Sequence, residues 1–141
     1  MQRTLRQLGW ALLLCLPLTA SQASDCTLRK GTIGPLNYRC DDGRSGSLRT
    51  DSLGNVRDSA TGERWHKDSL GQWRSSEGKQ WREDSNGQWR SKQGERWRKD
   101  SMGNWRSNDG GRCRQDSFGN WRCKGEQLAP PPVYQDNDDD D

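Results

Sequence analysis

"WREDSNGQWRSKQGERWRKDSMGNWR", from Trp81 to Arg106, repeats a tryptophan every eight residues and follows each one with an arginine. The series extends in both directions. Trp65 and Trp73 precede it, Cys113 takes the next place after Trp105, and Trp121 follows. Val56 and Leu48 continue the ladder upstream, with one extra residue between Val56 and Trp65. Two connectors alternate between these positions. One is Asp-Ser-x-Gly, beginning at Asp51, Asp68, Asp84, Asp100 and Asp116; the other is Ser-x-x-Gly, beginning at Ser75, Ser91 and Ser107. The true unit is therefore 16 residues long, and a fixed period of that kind marks units that stabilise one another by stacking.

Both connectors carry Asp or Ser at position i and Gly at i+3, the preference of a type I turn closed by a glycine bulge. About four residues remain between turns, enough for a short strand and too few for a helix. A three-residue loop at each connector then fixes the register. Trp73 opposes Trp81, Trp89 opposes Trp97, and Trp105 opposes Cys113. Across the Asp-Ser turns the offset is two, so Trp81 opposes Ser91 and Trp89 opposes Glu83. All the tryptophans share one face, because strand side chains alternate with period two. Cross-strand aromatic pairs stabilise a sheet by about 0.2–1 kcal/mol each.

The same register, set without reference to the cysteines, brings Cys113 opposite Cys123 in a non-hydrogen-bonded pair, within disulfide reach. Cys26 and Cys40 are left to staple the N-terminal end, so the expected array is disulfide-capped at both ends. The lone His66 and the absence of any CxxC pair argue against zinc. Calcium is disfavoured because Leu53, Leu70, Met102 and Phe118 fill the variable turn place and cannot ligate. No metal and no cofactor are expected.

The spacing in "GQWRSKQGERW" resembles the aromatic hairpin repeats of choline-binding, cell-wall-attached proteins, with Arg where that family continues with further aromatics. The Asp-x-x-Gly rhythm is similar to the YD repeats of RHS proteins, without the Tyr. What these resemblances imply is architecture alone: stacked hairpins.

Flanking segments divide the chain. Residues 1–23 carry Arg3 and Arg6, the apolar run "LGWALLLCLPL" and small residues before Ala23, the pattern of a secretory signal peptide. An N-terminal disulfide-stapled cap is expected at 24–47, the Trp-repeat domain at 48–124, and a disordered Pro-rich, acidic tail at 125–141. The chain holds 23 Lys+Arg against 20 Asp+Glu, and Asp136 and Asp138–Asp141 place much of the acid in that tail. The repeat itself is basic.

The expected fold is all-β: tandem short antiparallel hairpins forming an elongated meander or a solenoid-like stack. The expected function is an exported, secreted or periplasmic, non-catalytic module. A single histidine and oxidised cysteines offer no nucleophile–base arrangement. The candidate ligand is an extended anionic polymer of the cell envelope, such as peptidoglycan, lipopolysaccharide or exopolysaccharide, with extracellular nucleic acid as a second anionic candidate. Trp73, Trp81, Trp89, Trp97 and Trp105 are the candidates for stacking on it, and Arg74, Arg82, Arg90 and Arg106 for charge. The competing reading makes the tryptophans the core of a structural or protein-interaction repeat that self-associates through sheet edges or inhibits a partner. No membrane span is expected.

Overall fold

The computed structural model describes residues 23–31, 34–125 and 128–135. The expected signal peptide therefore lies outside the described residues, apart from Ala23. Twelve strands follow one another: β1 (Ser24–Lys30), β2 (Leu36–Cys40), β3 (Ser45–Thr50), β4 (Val56–Asp58), β5 (Arg64–Lys67) and β6 (Trp73–Ser75) form the first half. The second half is β7 (Gln80–Glu83), β8 (Trp89–Ser91), β9 (Arg96–Lys99), β10 (Trp105–Ser107), β11 (Arg112–Gln115) and β12 (Trp121–Gly125). A short helix, α1 (Pro131–Gln135), ends the described chain.

The turns form as their sequence dictates. In the Asp51 turn the Gly54 amide donates to the Asp51 carbonyl at 3.1 Å, and the Asp51 amide donates to Asn55 at 2.9 Å. The glycine that closes such a loop must take a left-handed backbone, as Gly119 does at φ 78°. The expected register holds throughout: Trp73 faces Trp81, Trp89 faces Trp97, Trp105 faces Cys113, and Cys113 faces Cys123.

The meander does not run on as an elongated or solenoid-like stack. Strand β1 pairs with β12, with Cys26 opposite Cys123, and the sheet closes into a barrel. The physical reason is accumulated twist. Each strand twists right-handedly, and each bulge adds more, so a long meander of short hairpins coils until its ends meet. Residues 24–47, expected as an N-terminal disulfide-stapled cap, supply β1, β2 and the start of β3. The disulfides are present as expected, Cys26–Cys40 and Cys113–Cys123, but they do not cap opposite ends. They lie on adjoining strands, so Cys40, Cys26, Cys123 and Cys113 form one row across the seam.

Closure decides where the tryptophans go. An eight-stranded barrel is just filled by ordinary side chains, and a twelve-stranded one is wider. Trp65, Trp73, Trp81, Trp89, Trp97, Trp105 and Trp121 all point inward and are buried. The tail completes the filling. Contrary to the expectation of disorder from residue 125, Ala129 and Pro131–Val133 are buried, and Val133 is fully inaccessible. The Tyr134 ring meets Trp121 edge-on at 5.7 Å. A proline at the first helical position suits the entry of α1, since its missing N–H would be unpaired there anyway. Near the seam, Gly46 is required by its neighbour: a Cβ there would fall 2.6 Å from the Tyr38 hydroxyl, which donates to Asp58 at 3.0 Å.

Candidate anion-binding surface

Strand alternation turns every residue after an inward tryptophan to the outside of the barrel. Arginines therefore line up across neighbouring strands. Arg82 faces Arg90, Arg90 faces Arg96, Arg98 faces Arg106, Arg106 faces Arg112, and Arg114 faces Arg122. Like charges directly opposite one another destabilise a sheet unless something offsets them.

Part of the offset comes from the turns. The Oδ1 atom of Asp100 accepts the Met102 and Asn104 amides, closing the turn, at 2.9 Å each. Its Oδ2 atom accepts the Arg106 Nε at 3.1 Å. Asp68 holds Arg74 in the same way at 3.0 Å, and Asp84 holds Arg90 at 2.8 Å. The backbone amides of Gln72, Gln88 and Asn104, together with these guanidinium groups, hold the three carboxyls below the usual carboxylate range. Asp51 and Asp116 spend Oδ2 on Asn55 and Asn120 instead.

The offset is incomplete. Arg82, Arg96, Arg98, Arg112 and Arg114 have no carboxylate partner among the described residues. A shallow groove of about 440 Å³ gathers Arg96, Arg98, Arg106 and Arg112 with Gln88 and Asn108, and no carboxylate lines it. Beyond Arg106 and Arg112 the surface continues through Arg114, Arg122 and Lys124, where Asp25 is the single acid, 3.9 Å from Lys124. Guanidinium groups present planar donor forks that match phosphate, sulfate and carboxylate oxygens.

Among the residues singled out from the sequence, Arg74, Arg82, Arg90 and Arg106 lie outside on this wall. The five stacking candidates do not join them. Trp73, Trp81, Trp89, Trp97 and Trp105 are buried on the other side of the sheet, at 1–8 % exposure. They cannot stack on a polymer running along the outer wall, because one face of a closed sheet is the lumen. Arg96, Arg98, Arg112 and Arg114 are not among the sequence candidates, although the same alternation marks them. Arg98 follows Trp97 directly, and Arg112 and Arg114 flank Cys113, which holds a tryptophan's place in the ladder.

The lumen opens at one end only partly covered by the tail. A cavity of about 580 Å³ there is lined by Trp65, Trp81 and Trp97, all buried, beside Glu63, Glu95 and Asp109. Lys79 lies in this mouth, paired with Glu63 and set 5.9 Å over the Trp65 ring. The end is thus acidic where the wall is basic.

No protein-family profile, curated protein or solved structure matches the chain.

Proposed function

We propose that the chain is an exported, non-catalytic binding module whose arginine wall grips an extended anionic polymer, such as an envelope or extracellular glycan bearing phosphate, sulfate or carboxylate groups. One observation carries this reading: Arg96, Arg98, Arg106 and Arg112 converge on a groove with no carboxylate in its lining. Arg106 is offset by Asp100. Arg96, Arg98 and Arg112 repel one another without a carboxylate partner among the described residues, and a polyanion that bridges them removes that repulsion. The groove is open and leads on to Arg114, Arg122 and Lys124, which suits a chain-like ligand better than a small enclosed one. Export is supported by the two disulfides, which persist in oxidising compartments. The tryptophans serve the fold in this reading, and charge alone supplies recognition.

The test is affinity for an immobilised sulfated or phosphorylated polysaccharide across a salt series. Affinity falls steeply as salt rises, since the arginines displace counterions. Replacing Arg98 and Arg112 by Gln lowers affinity at least about tenfold while circular dichroism stays unchanged, in line with the loss of two charge-assisted contacts. Binding that ignores salt, or that survives the double substitution, contradicts the reading.

A structural or protein-interaction role is the second reading. Self-association through sheet edges has no support, because β1 and β12 pair and leave no strand edge free among the described residues.

A further inference from the structure

In an antiparallel barrel the hairpin connections alternate between two ends. All five Asp-Ser-x-Gly turns fall at one end, with the link between β1 and β2. Their third residues are Leu53, Leu70, Asn86, Met102 and Phe118. Four of these are 77–85 % exposed, and they are all the exposed large hydrophobics among the described residues. Turn chemistry does not demand them. The same place in the Ser turns at the opposite end holds Glu77, Gln93 and Asp109. One rim is apolar-tipped and the other polar.

Below each of the five turns, including the one tipped by Asn86, stands a pair of basic side chains. Arg49 faces Arg57, His66 faces Arg74, Arg82 faces Arg90, Arg98 faces Arg106, and Arg114 faces Arg122. Each pair lies two residues below the pair that closes its turn, about 7 Å along the strand at ~3.4 Å per residue. A bilayer's headgroup layer is of that same order, about 5–7 Å on each side of the hydrocarbon. The barrel does not cross the membrane, because outward arginines would face lipid on every hairpin. A rim set on the surface meets no such cost.

We infer that this rim seats on an anionic lipid surface, with Leu53, Leu70, Met102 and Phe118 entering the acyl boundary and the arginine belt at headgroup level. Apolar tips over a basic belt are the two components of peripheral membrane attachment, and anionic headgroups are the chemistry complementary to the belt. Of the five rim aspartates, Asp68, Asp84 and Asp100 are engaged with Arg74, Arg90 and Arg106. Asp51 and Asp116, bonded to Asn55 and Asn120, are outnumbered by the Arg49–Arg57 and Arg114–Arg122 pairs below them. The inference shares Arg98, Arg106, Arg114 and Arg122 with the polymer reading and adds the apolar tips, which that reading does not use.

The experiment is co-sedimentation of the oxidised protein with vesicles of phosphatidylglycerol and phosphatidylcholine, and with phosphatidylcholine alone. The protein sediments with the anionic vesicles and not with the zwitterionic ones. Changing Leu53, Leu70, Met102 and Phe118 together to Ser lowers vesicle affinity at least about tenfold, as loss of buried apolar area requires. Soluble-polymer binding and circular dichroism stay unchanged in that variant. Asn86→Leu, which completes the ring, strengthens vesicle binding. The inference is overturned if the wild type ignores anionic vesicles while still binding polymer, or if the four-serine variant sediments as the wild type does. It is equally overturned if those serines instead dissolve a dimer, which would make the rim a contact between copies.

Discussion

A single aspartate in each Asp-Ser-x-Gly turn does two jobs with its two oxygens, and separating them reveals what each is worth. Asp100 closes its turn through Oδ1 and restrains Arg106 through Oδ2. Asp100→Asn keeps an acceptor for the amides and removes the charge that competes with a polyanion. Polymer affinity should rise about two- to threefold, read from the same salt series, with the fold intact. Polymer binding that weakens instead would mean Arg106 needs its aspartate to be positioned. The turn aspartates also set the acid limit of stability. Their folded carboxyls lie below the ordinary range, so their contribution is complete above that range and is lost as pH falls through the folded values. The thermal midpoint should be flat near neutrality and decline below about pH 4. Alongside Tyr134, whose phenol is also pushed up by burial, Tyr38 sets the alkaline limit by the opposite sign. Burial, and then its hydrogen bond and proximity to Asp58, push its phenol up to about 12. Its contribution is complete below about pH 10 and is lost as pH rises toward the folded value. A midpoint that stays constant from neutrality through pH 12 would contradict the buried Tyr38–Asp58 contact.

At the level of the hairpin, one glycine per turn carries the geometry. Gly119 closes the last hairpin at φ 78°, with open space around the position a Cβ would take apart from the Gln115 side chain at 3.8 Å. Gly119→Ala should therefore cost backbone strain and little else, about 1–2 kcal/mol, measured by denaturant unfolding. A neutral result would mean the turn can be rebuilt without a left-handed residue. This is also the scale at which the sequence is most legible. A turn type with a fixed loop length leaves one register, and Trp73–Trp81, Arg90–Arg96 and Cys113–Cys123 are its consequences. The charged wall is legible by the same alternation, down to Arg98 and Arg112. Its partition into restrained and unrestrained arginines is not. That depends on which Oδ2 atoms reach an Arg Nε, as at Asp84, and which take an Asn amide, as at Asp116. The apolar rim needs one more step, because Leu53 and Phe118 become neighbours of a kind only once alternate turns share an end.

For the whole molecule, closure is the property that local patterns carry least. Twist adds a little at each of many strands, and no residue pair within a hairpin records the total. Pairing of Cys26 with Cys123 is visible only after β1 and β12 meet. The plug is hidden for the same reason: a proline-rich segment reads as a spacer until a lumen exists to bury Pro131, Pro132 and Val133. Closure in turn explains the tryptophans, which supply bulk to a barrel too wide for smaller side chains, and it turns the arginines outward. The decisive measurement is acrylamide quenching of tryptophan fluorescence in the oxidised protein, with and without a saturating anionic polysaccharide. Blue-shifted emission, weak quenching and no change on adding polymer are the expected results, because every described tryptophan points inward and is buried. Readily quenched emission that the polymer protects would put the tryptophans on the outer surface, and would contradict both the filled barrel and recognition by arginine alone.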